Sequence, residues 1–149
     1  MIYAHVHLER GSYTPEWLNK FIETAQGRGI NELYLLEHSH RFREFSNIYS
    51  SFRRYSIYQL DWLKTRTTRS IKEYQKFVEQ CWEVQYPIQV KFGLEICYEE
   101  DYESGIKDIT KSFGWDFLTG SVHWVDGWGF DHRKEFWENR DVDLICRQY

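Results

Sequence analysis

Four short apolar runs along the chain alternate with longer stretches in which apolar residues recur every three or four positions. The runs cover residues 2–8, 31–36, 88–96 and 116–122. Short apolar runs of this kind predict strands, and a spacing of three or four predicts helices. Strands that alternate with helices predict a parallel α/β sheet or barrel, in which functional residues lie at the carboxyl ends of the strands.

The helical stretches carry recognisable start signals. Thr14 and Pro15 form an N-cap followed by proline at the first helical position, and Ser70 to Glu73 has the pattern of a capping box. Residues 41–64 contain apolar residues at helical spacing, which predict a helix followed by a partly helical excursion.

Composition narrows the class of protein. The chain has 149 residues, of which 19% are aromatic, and this predicts one well-packed domain over residues 1–149. A net charge of -4 with interspersed signs gives no electrostatic footprint for nucleic acid or a membrane surface. No segment approaches the roughly 20 apolar residues of a membrane span. The three cysteines show no CxxC spacing, so no disulfide framework is predicted and a cytoplasmic location is expected.

The most informative side chains lie at the ends of the predicted strands. His5 and His7 are two residues apart, so both point to the same side of a strand. His38 follows the second run, and Glu95 and His123 end the third and fourth. For the first pair alone, the alternative is an ordinary strand that happens to carry two histidines. Taken together, the five residues predict a metal site.

Other polar and aromatic residues lie near these positions. His40 follows the second strand, and His132 lies in a polar loop after the fourth. Cys97 shares the face of the third strand's glutamate, but a lone cysteine there is expected to be a small packed residue. Trp124 and Trp128 flank the fourth strand's histidine, and they fit either the wall of a substrate pocket or core packing.

These motifs resemble those of the polymerase and histidinol phosphatase (PHP) superfamily, in the same order along the whole chain. The matching segments are His5-Val6-His7, Glu37-His38, Gly93-Leu94-Glu95 and Gly120-Ser121-Val122-His123. The residues around them, 36–42 and 117–124, resemble most the monofunctional histidinol-phosphatase branch.

The resemblance implies a fold and an activity. The fold would be the first half of a distorted (β/α)7 TIM-like barrel, with up to three divalent metal ions, zinc, manganese or iron, at the strand ends. The activity would be hydrolysis of a small phosphorylated metabolite, histidinol phosphate in histidine biosynthesis. By the same resemblance, His5, His7 and Glu95 would hold one metal, and Glu95 would bridge to a second that His123 also binds. His38 would serve a third. Further ligands or phosphate contacts would come from residues in or beside the motifs: Arg10, Tyr13, His40, Arg41 and His132.

The residue types suit this chemistry. Zinc, iron and manganese accept imidazole and carboxylate ligands together. A carboxylate that bridges two ions places a water between them, and the ions lower the pKa of that water enough to give hydroxide near neutral pH. The ions also neutralise phosphate oxygens, where much of the transition-state charge lies.

The chain departs from the family pattern in two places. Ala4 stands where many members carry an acidic residue, and the later His-Pro-Asp-like and Asp-x-His-like strand ends do not occur before Tyr149. The fourth predicted strand would have an unpaired outer edge, and the amphipathic segment 141–149 ends without a glycine cap. We therefore expect the amino-terminal portion of a longer protein, with possible self-association through the exposed sheet edge.

Three functions remain open at this point. The first is a metal-dependent phosphatase acting on a small phosphomonoester. The second is a non-catalytic remnant with a partial metal site, which the missing downstream ligands would favour. The third is a metal-dependent amide or ester hydrolase, because the same activated water can attack a carbonyl, and arginines that bind phosphate would distinguish the first from the third.

Overall fold

The main sheet is parallel and curls into half a barrel, with helices between its strands. The structure is a computed structural model that describes residues 1–50, 52 and 55–149. In this part of the chain the sheet order is β1-β2-β3-β4, with strands Ile2–His7, Glu32–His38, Gln89–Cys97 and Phe117–Ser121. The helices are α1 (Pro15–Gly27), α2 (Ile57–Arg66), α3 (Ile71–Trp82), α4 (Glu103–Thr110) and α5 (Val142–Gln148), and a hairpin pairs β5 (Trp124–Val125) with β6 (Trp128–Gly129). The predicted α/β architecture, half of a TIM-like barrel, is confirmed.

Helix α1 begins as its sequence predicted and ends at a glycine. The Thr14 hydroxyl accepts a hydrogen bond from the Trp17 backbone N–H at 3.3 Å. Beyond the carboxyl end, Gly29 has a φ of 69°, and the N–H of Ile30 donates back to the Ala25 carbonyl at 2.9 Å. A residue with a Cβ rarely adopts this left-handed conformation, so glycine fixes the turn that leads into β2.

The first part of the segment 41–64 differs from the prediction of a helix followed by a partly helical excursion. Residues Ser39–Arg41 and Arg43–Phe45 form short 3-10 turns, and α2 begins only at Ile57. The backbone of Arg43 donates to the Arg69 carbonyl at 3.0 Å, so this stretch pairs with a distant segment instead of with itself. Residues 51, 53 and 54 of the prediction lie outside the described residues. The apolar side chains at helical spacing are still buried in the core: Phe42, Phe45, Ile48, Tyr49 and Phe52.

Ser70 is the N-cap of helix α3, as the sequence predicted, and Glu44 adds a second cap. The Ser70 hydroxyl accepts from the Lys72 backbone N–H at 3.2 Å and donates to a Glu44 carboxylate oxygen at 2.6 Å. The other Glu44 oxygen accepts from the Ile71 backbone N–H at 3.0 Å. A carboxylate at a helix amino terminus is favourable, because the free N–H groups carry partial positive charge. Helix α3 ends at Trp82.

The core lies between the sheet and its helices, and it fixes which strand face carries the polar residues. On β2, Leu33 and Leu35 pack against the helices, and on β3 the same is true of Phe92 and Leu94. Side chains alternate along a strand, so the residues between them face the interior of the half-barrel. Full burial of one such side chain contributes about 1.5–3 kcal/mol, so the strand register is strongly specified.

None of the described helices is long and apolar enough to cross a membrane.

Candidate metal centre

The register of the strands brings the predicted site residues to one end of the sheet. His38 on β2 pairs with Glu95 on β3, and Glu95 in turn pairs with Thr119 on β4. His5 and His7 reach the same place from β1, where the pairing with β2 shifts by one residue between Tyr3 and Val6. Parallel strands end at the same edge, so residues far apart in the sequence become neighbours.

The carboxylate of Glu95 is the centre of this cluster. One oxygen, Oε2, lies 2.9 Å from Nε2 of His5, 3.2 Å from Nε2 of His7 and 3.5 Å from Nε2 of His38. The other oxygen, Oε1, lies 2.8 Å from Nε2 of His123. The four histidines at the predicted strand ends thus meet around Glu95, the fifth predicted ligand.

The donor arrangement fits divalent metal ions. Nε2 of His5 and Nε2 of His7 lie 2.9 Å apart, and Glu95 Oε2 is buried without a well-oriented hydrogen bond although ring nitrogens face it. Nitrogens that converge on one another and on a carboxylate offer lone pairs to a shared point, as metal ligands do. Two groups have all their ligand atoms within 4.8 Å of one another. These groups are His5, His7 and Glu95, and His38, Glu95 and His123.

Glu95 belongs to both groups, which suits a carboxylate that bridges two ions. His38 lies in the second group, with Glu95 and His123, whereas the family resemblance implied a separate third metal for it. The ligand roles themselves stay predictions. Zinc, manganese and iron all suit this mixture of imidazole and carboxylate.

Electrostatics keep Glu95 ionised and His38 neutral, which are the forms that bind a metal. Burial raises the pKa of Glu95, but the hydrogen bond from His123 and the close approach of the His7 ring outweigh burial and hold this pKa well below its usual range. Burial and the nearby charge of His7 lower the pKa of His38 to about 4.

Asp131 contacts the ring nitrogen of His123 that points away from Glu95. The sequence did not predict this role. Its Oδ2 lies 3.3 Å from Nδ1 of His123, so the ring donates this proton and directs Nε2 at Glu95. The hydrogen bonds to Asp131 and Glu95 raise the pKa of His123 to about 9. A carboxylate that holds the second nitrogen of a ligand histidine fixes its tautomer and ring orientation. The only sequence signal was the proximity of Asp131 to His132.

A buried ion network lies beneath His38. Glu37 is fully buried, and its Oε2 lies 3.2 Å from Nε of Arg41 and accepts from the Tyr13 hydroxyl at 3.3 Å. Arg41 also lies 3.7 Å from Glu9, whose carboxylate is 3.6 Å from Nδ1 of His38. Burial raises the pKa of Glu37 to about 7, although the charge of Arg41 opposes this. Arg41 and Tyr13 therefore stabilise the strand end.

A cavity of about 250 Å³ opens beside the cluster. Predicted residues His40 and His132 line it, each in contact with the ring of Trp62, at centroid distances of 4.8 Å and 4.5 Å. Arg10 is exposed and is not part of this wall. The full described lining is Glu9, His38, His40, Tyr58, Trp62, Arg66, His123, Trp124, Asp131 and His132.

Trp124 fits both alternatives that the sequence left open, core packing and the wall of a pocket. It is buried in the core and also faces the cavity, while Trp128 is buried in the hairpin. Cys97 is buried and packed, and burial raises its pKa to about 12, so it is poorly suited to bind a metal as a thiolate. Tyr58 and Trp62 were missed as cavity residues, because the spacing of apolar residues before and within α2 is irregular.

Comparison with known proteins agrees with this geometry. The PHP domain family matches residues 4–149 of the chain. A protein named probable histidinol-phosphatase, from Deinococcus radiodurans, is 35% identical over 65 residues. This similarity covers 42% of the chain and 25% of the relative, so the chain spans only part of the length of that protein. The match over nearly the full length confirms the resemblance read from the four motifs: the chain belongs to the PHP domain family.

Proposed function

We propose that this protein is a metal-dependent phosphatase that hydrolyses a small phosphomonoester at the cluster around Glu95. The observation that carries the proposal is the convergence of four imidazoles on one carboxylate at the strand ends. Membership of the PHP family and the similarity to a probable histidinol-phosphatase support a hydrolase of this kind.

Different residues of the cluster have different proposed roles. When bound, divalent ions activate water and neutralise charge on the phosphoryl oxygens. His5 and His7 would hold one ion with Glu95, and His38 and His123 would hold a second with the same carboxylate. Asp131 accepts the Nδ1 proton of His123, so Nε2 is the nitrogen that would lose its proton and serve as the ligand.

Histidinol phosphate is the substrate that we propose. The cavity beside the cluster suits a small metabolite, because its volume of about 250 Å³ lies just below the range of roughly 300–1,000 Å³ that is typical of ligand pockets. The rings of Trp62 and His132 line this cavity and give it an aromatic wall beside which an imidazole can pack. Glu9 and Asp131 give the same cavity carboxylates for a protonated amine. Cys81, Cys97 and Cys146 are free thiols, which supports a proposed cytoplasmic location.

The test combines metal analysis with a phosphatase assay. The purified chain is reconstituted with manganese, iron or zinc, its bound metal is measured, and phosphate release from histidinol phosphate is followed. We expect bound metal and turnover, and the loss of both in Glu95→Gln. Glu32→Gln, at the opposite end of the sheet, is the matched control and should keep both. A chain that binds no metal above background and releases no phosphate would show the proposal to be wrong.

A further inference from the structure

One cationic side chain in the cavity belongs to none of the motifs. Arg66 is the last residue of α2, and of the described residues that line the cavity it is the only arginine or lysine. The same wall carries the carboxylates of Glu9 and Asp131, and Glu95 lies just beyond it. A dianionic phosphate ester that enters this acidic surrounding needs a positive partner in addition to the ions.

The arginines that the motifs suggested are placed differently. Arg41 is nearly buried and forms ion pairs with Glu37 at 3.2 Å and Glu9 at 3.7 Å, so two carboxylates already balance its charge. Arg10 is exposed and lies outside the described cavity lining. Neither arginine is therefore available to the phosphate group of a ligand in this cavity.

Arg66 is available. Its side chain is exposed at the cavity wall and forms no ion pair with any carboxylate in the described part of the chain. The guanidinium carbon lies 5.9 Å from the centre of the Trp62 ring, a contact that favours a defined position for the planar group. A guanidinium can donate two parallel hydrogen bonds to a phosphate, which a lysine ammonium cannot match.

We propose that Arg66 binds the phosphate group of the substrate and gives the site its preference for phosphomonoesters. This inference rests on the proposed phosphatase function and deepens it, because it assigns the residue that recognises the dianion. It also separates this function from amide or ester hydrolysis. A neutral amide would make no charged contact with Arg66, so the acidic cavity would offer it no comparable anchor.

The test uses the full chain loaded with manganese and inorganic phosphate as the probe. Titration calorimetry gives the Kd for phosphate in the parent chain and in Arg66→Gln, Arg66→Lys and Lys64→Gln. Lys64 is the matched control, because it lies on the same helix, is exposed and pairs with Asp61 at 3.5 Å. We expect Arg66→Gln to raise the Kd about tenfold or more, as for the loss of a charge-assisted bidentate contact. The Kd of Arg66→Lys should lie between those of the parent and Arg66→Gln, and the Kd of Lys64→Gln should equal that of the parent.

Two further readouts separate this inference from the proposed function. Metal content should be equal in all four chains, because Arg66 is not among the predicted ligands. In the phosphatase assay, Arg66→Gln should raise KM for histidinol phosphate more than it lowers kcat. A metal-loaded parent that binds no phosphate, or Arg66→Gln with the affinity of the parent, would overturn the role of Arg66. A parent that binds metal and phosphate through Arg66 without turning over the ester would instead contradict the phosphatase function alone.

Discussion

A single buried glutamine ties α2 to the hairpin that walls the cavity. Gln59 has no exposed surface, and its side-chain amide donates to the carbonyls of Phe52 at 3.0 Å and Gly127 at 2.9 Å. Its amide oxygen accepts from the Gly129 backbone N–H at 2.9 Å. In Gln59→Met the side chain keeps its length but offers no amide, so three hydrogen bonds are lost. The Phe52 carbonyl keeps a bond from the Tyr55 backbone N–H at 3.2 Å, whereas Gly127 and Gly129 lose the partner that the amide supplied. At about 1 kcal/mol for each bond, the free energy of unfolding should fall by roughly 3 kcal/mol.

The assay is urea unfolding followed by tryptophan fluorescence, since Trp124 and Trp128 belong to the hairpin that Gln59 holds. For a chain of this size the loss corresponds to a fall in Tm of about 6–12 °C. Gln80→Met, an exposed glutamine of α3 changed in the same way, is the control and should leave stability within about 0.5 kcal/mol of the parent. An equally small effect of Gln59→Met would refute the reasoning, because the loss of the three hydrogen bonds would then cost almost nothing.

Three further changes test the fold and the site. Gly93→Ala should lower the free energy of unfolding by about 1–3 kcal/mol, because its Cβ would lie 2.5 Å from the Phe117 carbonyl oxygen; denaturant unfolding measures this. Glu44→Gln should cost about 0.5–2 kcal/mol at pH 7. Burial raises the pKa of Glu44, but hydrogen bonds, first of all that from Ser70, lower it below its usual value. The stabilisation by the Glu44 carboxylate is therefore lost as the pH falls through the lowered pKa, and the stability difference between the parent and Glu44→Gln should shrink in acid. Asp131→Asn should weaken metal binding about 10–100-fold in a competition titration.

Each of these changes has a matched control in the chain. Gly114→Ala adds a methyl group where no atom lies within 4 Å, so it should be close to neutral. Glu79→Gln, on the exposed face of α3, and Asp101→Asn, outside the cavity, should leave stability and metal affinity unchanged. A control that behaves like its test variant would show that the loss of charge or the added volume, not the named contact, is responsible.

The sequence predicted the parts of this molecule that depend on local pattern. Strand ends carrying His5, His38, Glu95 and His123 could be read from apolar runs, because the side-chain period of a strand and the common edge of parallel strands place them together. The start of α1 at Thr14 followed from capping preferences that involve only neighbouring residues.

The parts that were missed depend on partners distant in sequence. The hydrophobic spacing after β2 resembled a helix, yet the described part of this segment forms only short 3-10 turns, and its apolar side chains are buried one after another. Glu44 caps a helix 27 residues away, and Gln59 holds a backbone group 70 residues away. Asp131 and Arg66 have ordinary polar neighbours, so only the tertiary arrangement separates them from other surface charges. No local pattern carries such information.

The cavity is lined partly by residues at the strand ends and partly by residues of helix α2, and this difference affects how the protein can change during evolution. The predicted ion ligands lie on or directly after sheet strands whose register the core fixes, so most substitutions there would be lost to selection. Tyr58 and Trp62 lie on α2, which joins the hairpin through a few side-chain contacts. Mutations in this wall can accumulate without disturbing the strands. The ligand preference of the cavity can therefore change by exchange of the wall while the strand-end cluster around Glu95 stays as it is.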